Sequence, residues 1–128
     1  MTAGGRERGA AAADFALVSG LLAVLFLAML QLGYALHVRN TATAHAVEGA
    51  RVGARADLTP GDGAARTEEL LATTLQGRSG TRVSADRALL DSGVSVVRVR
   101  VSLPLPLVGP LGPPRTMEVS GQAYAEDQ

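Results

Sequence analysis

The side chains able to do chemistry are few and scattered. His37 and His45 lie eight residues apart, too far on a helix for the i, i+4 pair with which a zinc helix grips its metal. His45 and Glu48 stand at i, i+3, the reverse of the order found in carboxylate-bridged metal sites, and one copy does not build such a site. Cysteine is absent, which removes thiol nucleophiles, disulfide staples and cysteine-ligated metals together. Gly77-Arg78-Ser79-Gly80 lacks the G-x-S-x-G spacing and the strand-to-helix setting of a nucleophile elbow. The stretch from Gly109 to Pro114 is broken by prolines and cannot serve as a phosphate-cradling loop ahead of a helix. Asp86 and Asp91 flank a leucine pair and read as a solvated turn. These patterns predict no catalytic residue, no metal, no cofactor and no small-molecule substrate, hence a protein that is not an enzyme. One ionisable side chain is conspicuous by position alone: Asp14, immediately ahead of a long apolar run.

Charge points the same way. The twelve basic residues are all arginine and are balanced by twelve acids, so no basic face for nucleic acid is expected. Aromatic residues make up 3% of the chain, too few for a carbohydrate-binding platform. With 128 residues, there is room for one small domain beside an anchor.

The element that positions Asp14 is that run. Phe15 to Leu36 is 22 residues without a charge, and at about 1.5 Å rise per residue it reaches roughly 33 Å, enough to cross a bilayer core. A domain this small could not cover such a helix on every side, which argues against a buried soluble helix. A cleaved secretory signal is the rival, with Arg6 and Arg8 as its basic start and Ala44-His45-Ala46 as an A-x-A site. The apolar run is, however, longer than a signal's core, and Ala46 lies ten residues beyond Leu36. A retained single-pass anchor is therefore expected. Two arginines precede the span and three (Arg39, Arg51 and Arg55) follow it closely, so the positive-inside count does not set the orientation.

Ahead of the span the chain reads Arg6-Glu7-Arg8-Gly9-Ala10-Ala11-Ala12-Ala13-Asp14-Phe15. An acid at the mouth of a membrane helix either caps orphan amides and offsets the helix dipole or marks a functional partner. Beyond the span come Val38-Arg39-Asn40-Thr41-Ala42 and Ala46-Val47-Glu48-Gly49-Ala50-Arg51. Together these segments resemble the type IV pilin-like proteins, in particular the TadE-like minor pilins of tight-adherence (Tad) pili. The family's prepilin peptidase cuts after a glycine, and the fifth mature residue is an acid, usually glutamate. The resemblance thus implies processing between Gly9 and Ala10, with Asp14 as the fifth residue beside Phe15. Aspartate replaces the usual glutamate. Asn40 and the run ending at Arg51 match the family's asparagine and R-E-G-A-R type segment, with Val47 where an arginine is usual. By resemblance, the Asp14 carboxylate offsets an N-terminal amine, its own or a neighbour's, as the helix leaves lipid for a bundle. The partners implied are the membrane, the prepilin peptidase, other pilin or pseudopilin subunits and the pilus assembly platform. The resemblance also implies a cytoplasmic N-terminus, an extracytoplasmic C-terminal domain and incorporation into a surface pilus serving cell adhesion.

Independently of any family, Ala42, Ala46, Gly49, Gly53 and Ala56 recur at intervals of three and four. This is one stripe of small side chains that lets another backbone come close, and Glu48 can reach Arg51 one turn on. With no proline before Pro60, the helix is expected to run from about Ala10 to Leu58. The organisation expected is a leader over 1–9, a transmembrane helix over 10–36, a protruding helical continuation over 37–58 and a small domain over 59–128.

In that domain Thr59-Pro60-Gly61-Asp62-Gly63 reads as a stop and turn, followed by a short helix from Ala64 to Gln76 that ends at Gly77 and docks through Leu70, Leu71 and Leu75. Arg82 to Asp86 is a brief strand. The alternation of Val97, Val99, Val101 and Leu103 with Arg98, Arg100 and Ser102 marks a half-buried strand. Pro104, Pro106, Gly109, Pro110, Gly112, Pro113 and Pro114 form a connection that cannot join a ladder regularly. A last strand, roughly Arg115 to Ala125, pairs antiparallel with the previous one. The fold class is α+β: a long N-terminal helix on a short helix and a small antiparallel sheet. The leading functional reading is a minor pilin or pseudopilin. Its rivals are a signal-anchored envelope binding module and a secreted domain with a mature N-terminus near Val47.

Overall fold

A computed structural model describes residues 3–76, 79–105 and 115–125, with side chains from Glu7 onward. The stop expected at Gly77, Arg78 beside it and the proline-glycine segment from Pro106 to Pro114 lie outside the described residues. The class is α+β: two helices and a three-stranded antiparallel sheet. The chain divides into two compact units, Met1–Tyr34 and Ala35–Gln128.

The first unit is helical. It holds the N-terminal part of α1 (Ala3–Gly53), and every residue from Glu7 to Leu30 is exposed. The helix contains an 18-residue window of mean hydropathy 2.4, none of it buried. It is long and apolar enough to cross a membrane, and a helix exposed on all sides is not a soluble core helix. Helix already present at Ala3 means that Gly9 lies within α1 rather than ahead of it.

The second unit is built around the C-terminal part of α1. The helix ends at Gly53, not at the expected Leu58. Proline at 60 biases Thr59 out of the helical region, and Thr59 takes an extended conformation (φ −113°, ψ 160°) as the N-cap of α2 (Pro60–Thr74). The expected turn at Pro60 to Gly63 is therefore the first turn of this helix. Proline suits that position, where its missing N–H would be unsatisfied anyway. The Asp62 N–H donates to Thr59 Oγ1 (3.3 Å), while the Thr59 N–H and Oγ1 both donate to Asp62 Oδ2 (2.7 Å each). These bonds close a capping box. The Thr59 hydroxyl and then its backbone amide hold the Asp62 carboxyl below the usual carboxylate range.

Strands β1 (Arg82–Leu89), β2 (Ser95–Pro104) and β3 (Thr116–Tyr124) form a meander with β2 in the middle. The β2–β3 pairing is antiparallel, with Val99 opposite Gly121 and Val101 opposite Val119. β1 is longer than expected and runs past Asp86, which is registered against Arg98 and forms an ion pair with Arg100 (2.9 Å). Asp86 thus sits in a strand and not in a solvated turn: an edge strand facing an arginine-bearing neighbour gains from a cross-strand acid. Pro104 ends β2 opposite Thr116, and the Leu105 N–H donates to Arg115 O (2.7 Å), so pairing continues past it. The core comprises Val38, Ala42, Ala46 and Ala50 of α1, Leu71 of α2, and Val99, Val101, Leu103 and Val119 of the sheet, with Leu75, Val83, Ala85, Met117 and Ala123 at its margin. The alternation of β2 delivers Val97, Val99, Val101 and Leu103 to full burial.

Backbone contacts set the spacing. A Cβ at Gly49 would overlap Thr67 Oγ1 and lie 2.5 Å from Gly63 O. One at Gly53 would lie 3.0 Å from Thr59 O and 3.2 Å from Pro60 Cα, and one at Gly63 would overlap Gly49 O. At Gly121 it would collide with Val47 N and sit 2.6 Å from Ala46 O. Real Cβ atoms do not tolerate such distances, so Gly49→Ala and Gly121→Ala are each expected to destabilise this unit by about 1–3 kcal/mol or more. Gly20→Ala, with nothing near its added methyl, should leave its melting unchanged. Thermal denaturation of the detergent-solubilised chain followed by circular dichroism checks both. Thr59→Ala should cost roughly 1 kcal/mol through the lost cap. Because the Asp62 carboxyl is lowered in the folded state, its contribution is complete above about pH 4 and disappears as pH falls through the folded-state value. The gap between wild type and Thr59→Ala should therefore narrow in acid, and a gap constant from pH 7 to pH 2 would contradict the capping account.

Candidate functional site: the two segments of the long helix

The residues singled out in the sequence fall on two stretches of α1. On the first, Gly9, Ala10, Asp14 and Phe15 are all exposed, Phe15 at 76%. A Cβ on Gly9 would have nothing within 4 Å, and its φ is not positive. Neither packing nor backbone conformation within the chain thus requires glycine there, although glycine in a helix interior costs about 0.5–1 kcal/mol relative to alanine. Asp14 takes part in no ion pair among the described residues. It lies five residues after Gly9 and one before the uncharged run.

On the second stretch the structure sorts the residues by face. Ala42, Ala46, Gly49 and Gly53 are buried. The backbone that approaches them belongs to this chain: α2 meets Gly49 and Gly53, and β3 meets Ala46 through Gly121. Ala56 lies beyond the helix in the turn and is exposed. Glu48 and Arg51 are exposed on the other face, and the pair expected between them does not form. An exposed ion pair gains little against the entropy of fixing two long side chains.

Sequence reasoning missed the polar half of the α1–α2 contact. Thr67 is fully buried; its hydroxyl donates to Gly63 O (2.9 Å) and is also 3.3 Å from His45 O. Thr74 Oγ1 donates to Leu70 O (2.8 Å), so it receives the Nε2–H of His45 at 2.8 Å. His45 is thereby a strut between helices rather than a partner of Glu48. The available signal was Gly63, Thr67 and Leu71 at intervals of four, a ridge with small members facing the small stripe of α1. His37 is exposed. No group of three His, Cys, Asp or Glu that could hold a metal occurs among the described residues.

This arrangement presents an apolar helix with an acid at its mouth, and a compact domain folded on the helix's own small residues. The model of the family described as TadE-like protein matches residues 9–51, from the glycine ahead of the span to the arginine that closes the second segment. No curated protein and no solved structure matches the chain. The matched stretch lies within α1, and over those residues, about a third of its length, the chain is similar to the TadE-like family.

Proposed function

We propose that this protein is a minor pilin or pseudopilin for assembly of a Tad-type pilus, cut by a prepilin peptidase between Gly9 and Ala10. The observation that carries the reading is the Gly9-to-Asp14 spacing ahead of an exposed apolar helix, within a segment that matches the TadE-like family. A glycine that the chain's own packing does not use supports recognition by another protein. Cleavage would create an amine at Ala10, four residues or about 6 Å of rise before Asp14. That amine adds positive charge to the positive end of the helix dipole, and a carboxylate one turn on offsets both. Away from water the two charges are tolerated only as a pair, within one subunit or between neighbours. The apolar surface of the first unit requires lipid before assembly and neighbouring helices after it.

In this reading the role is structural and not catalytic. The N-terminus is cytoplasmic and the C-terminal domain extracytoplasmic. The partners are the membrane, the peptidase, other pilin or pseudopilin subunits and the assembly platform, and no nucleic acid is involved.

N-terminal mass spectrometry of membrane-extracted protein tests the processing step. An Ala10 start is expected in cells with the prepilin peptidase and a Met1 start in cells without it; a Met1 start in both would sink the reading. Asp14→Ala should leave the protein in the membrane and abolish its recovery in sheared pili. An envelope binding module without a pilus role would keep its function in that variant.

A further inference from the structure

The sheet ends in two open edges. β1 and β3 each pair with β2 on one side, and among the described residues no backbone hydrogen bond joins the other side of either strand. Proteins usually blunt such edges with prolines, bulges or covering segments. Here the two registers are unbroken over eight and nine residues, and neither edge strand contains a proline. Read across β2, the face opposite Val97, Val99, Val101 and Leu103 is arranged in rows. Arg82 and Glu118 are both level with Ser102, Ser84 and Ser120 with Arg100, Asp86 and Gln122 with Arg98, and Ala88 and Tyr124 with Val96.

Both edge strands run antiparallel to β2 and hence parallel to each other. A second copy displaced sideways therefore lays its β1 beside the first copy's β3 as a parallel pair. Each row then continues into the next copy: Glu118 meets Arg82, Ser120 meets Ser84, Gln122 meets Asp86 and Tyr124 meets Ala88. Among the described residues Asp86 is already paired with Arg100 (2.9 Å), whereas Arg82 and Glu118 enter no ion pair, and both are exposed. On the other face Arg87 falls level with the small Ala123 through Val97. A groove of about 450 Å³ between α2 and β1, with Leu71, Ala72, Leu75 and Val83 among its walls, is closed by the added strand.

We infer that β3 of one copy and β1 of another form one continued sheet, in which Glu118 of the first pairs with Arg82 of the second. Main-chain hydrogen bonds supply the affinity of such strand addition, and the row pairs supply its register. The contact joins two different surfaces and is heterologous. Pairing like edges, β1 on β1 or β3 on β3, never brings Arg82 to Glu118. The contact requires neither cleavage after Gly9 nor a pilus.

The chain has no cysteine, so introduced thiols report single contacts. Full-length chains carrying Ser84→Cys or Ser120→Cys under different tags are co-expressed, and their membranes are mildly oxidised. The proposed register makes these positions neighbours on adjacent strands, about 4.8 Å apart and within disulfide reach. The mixed disulfide is expected to exceed both like products several-fold. Arg82→Glu in the Ser84→Cys chain, or Glu118→Arg in the Ser120→Cys chain, should lower it several-fold, and the two together should restore it. All four positions are exposed, so the variants should melt as the wild type does. A missing mixed product, like products that match it, single reversals without effect, or a double reversal that does not restore it would each overturn the contact. Processing is read in the same membranes and fails separately. An Ala10 start without the mixed product refutes the sheet contact alone, and the mixed product with a Met1 start refutes the peptidase reading alone.

Discussion

The second unit depends on one contact: the backbone of α2 lying against the backbone of α1 where Gly49, Gly53 and Gly63 omit their side chains. Gly63 O approaches the bare Cα of Gly49, and Thr67 occupies the space where a Gly49 side chain would stand. Close approach alone would strand polar groups in a dry interface, where an unpaired group costs about 1–3 kcal/mol. The Thr67 hydroxyl is directed to Gly63 O with His45 O nearby, and His45 Nε2 reaches Thr74 across the same interface. The rest of the domain is arranged by that spacing. The reversal between Gly53 and Thr59 is short because the helices touch, and Gly121 repeats the device where β3 crosses Ala46 and Val47.

Such a core is made of small parts. The α1 contribution is Val38 and three alanines, and the bulk is supplied by Leu71, Leu103 and the valines of the sheet. A domain of this size buries a modest fraction of its surface, and each alanine adds little hydrophobic stabilisation. Close packing of backbones compensates through dispersion contacts that larger side chains would hold apart. Fit therefore matters more here than hydrophobic mass, and an added methyl does more harm at Gly49 than at any exposed position of α1.

Much of this was legible in the sequence, and where it was not the reason is physical. The apolar run and the valine alternation of β2 carry strong periodic signals, and both elements stand where those signals put them. Thr59-Pro60-Gly61-Asp62 was ambiguous, because the residues that make a turn also make a helix N-terminus. The capping box between Thr59 and Asp62 decides for the helix. β1 was underestimated because its inward residues include Ala85 and its outward ones Asp86, a weak alternation that is completed only by Arg98 and Arg100 on the neighbouring strand. The stripe from Ala42 to Gly53 announced that a backbone comes close. Periodicity carries no information on whether that backbone belongs to the same chain, and here it does.

That assignment changes what the TadE-like segment can be doing. If the small residues had been free, they would have been the natural surface for a neighbouring helix, and the charged residues between them a solvated background. With the small residues occupied from within, the matched segment divides into parts of different exposure. Its inner face in the second unit secures the domain, whereas the apolar surface of the first unit and the polar face with Glu48 and Arg51 are exposed. Lipid or other apolar helices can satisfy the apolar surface with little difference in hydrophobic energy. Apolar contact therefore confers little specificity by itself. Whatever distinguishes one neighbour from another must then lie in the polar groups of the segment, and Asp14, the acid next to the uncharged run, is the one placed where the apolar surface begins.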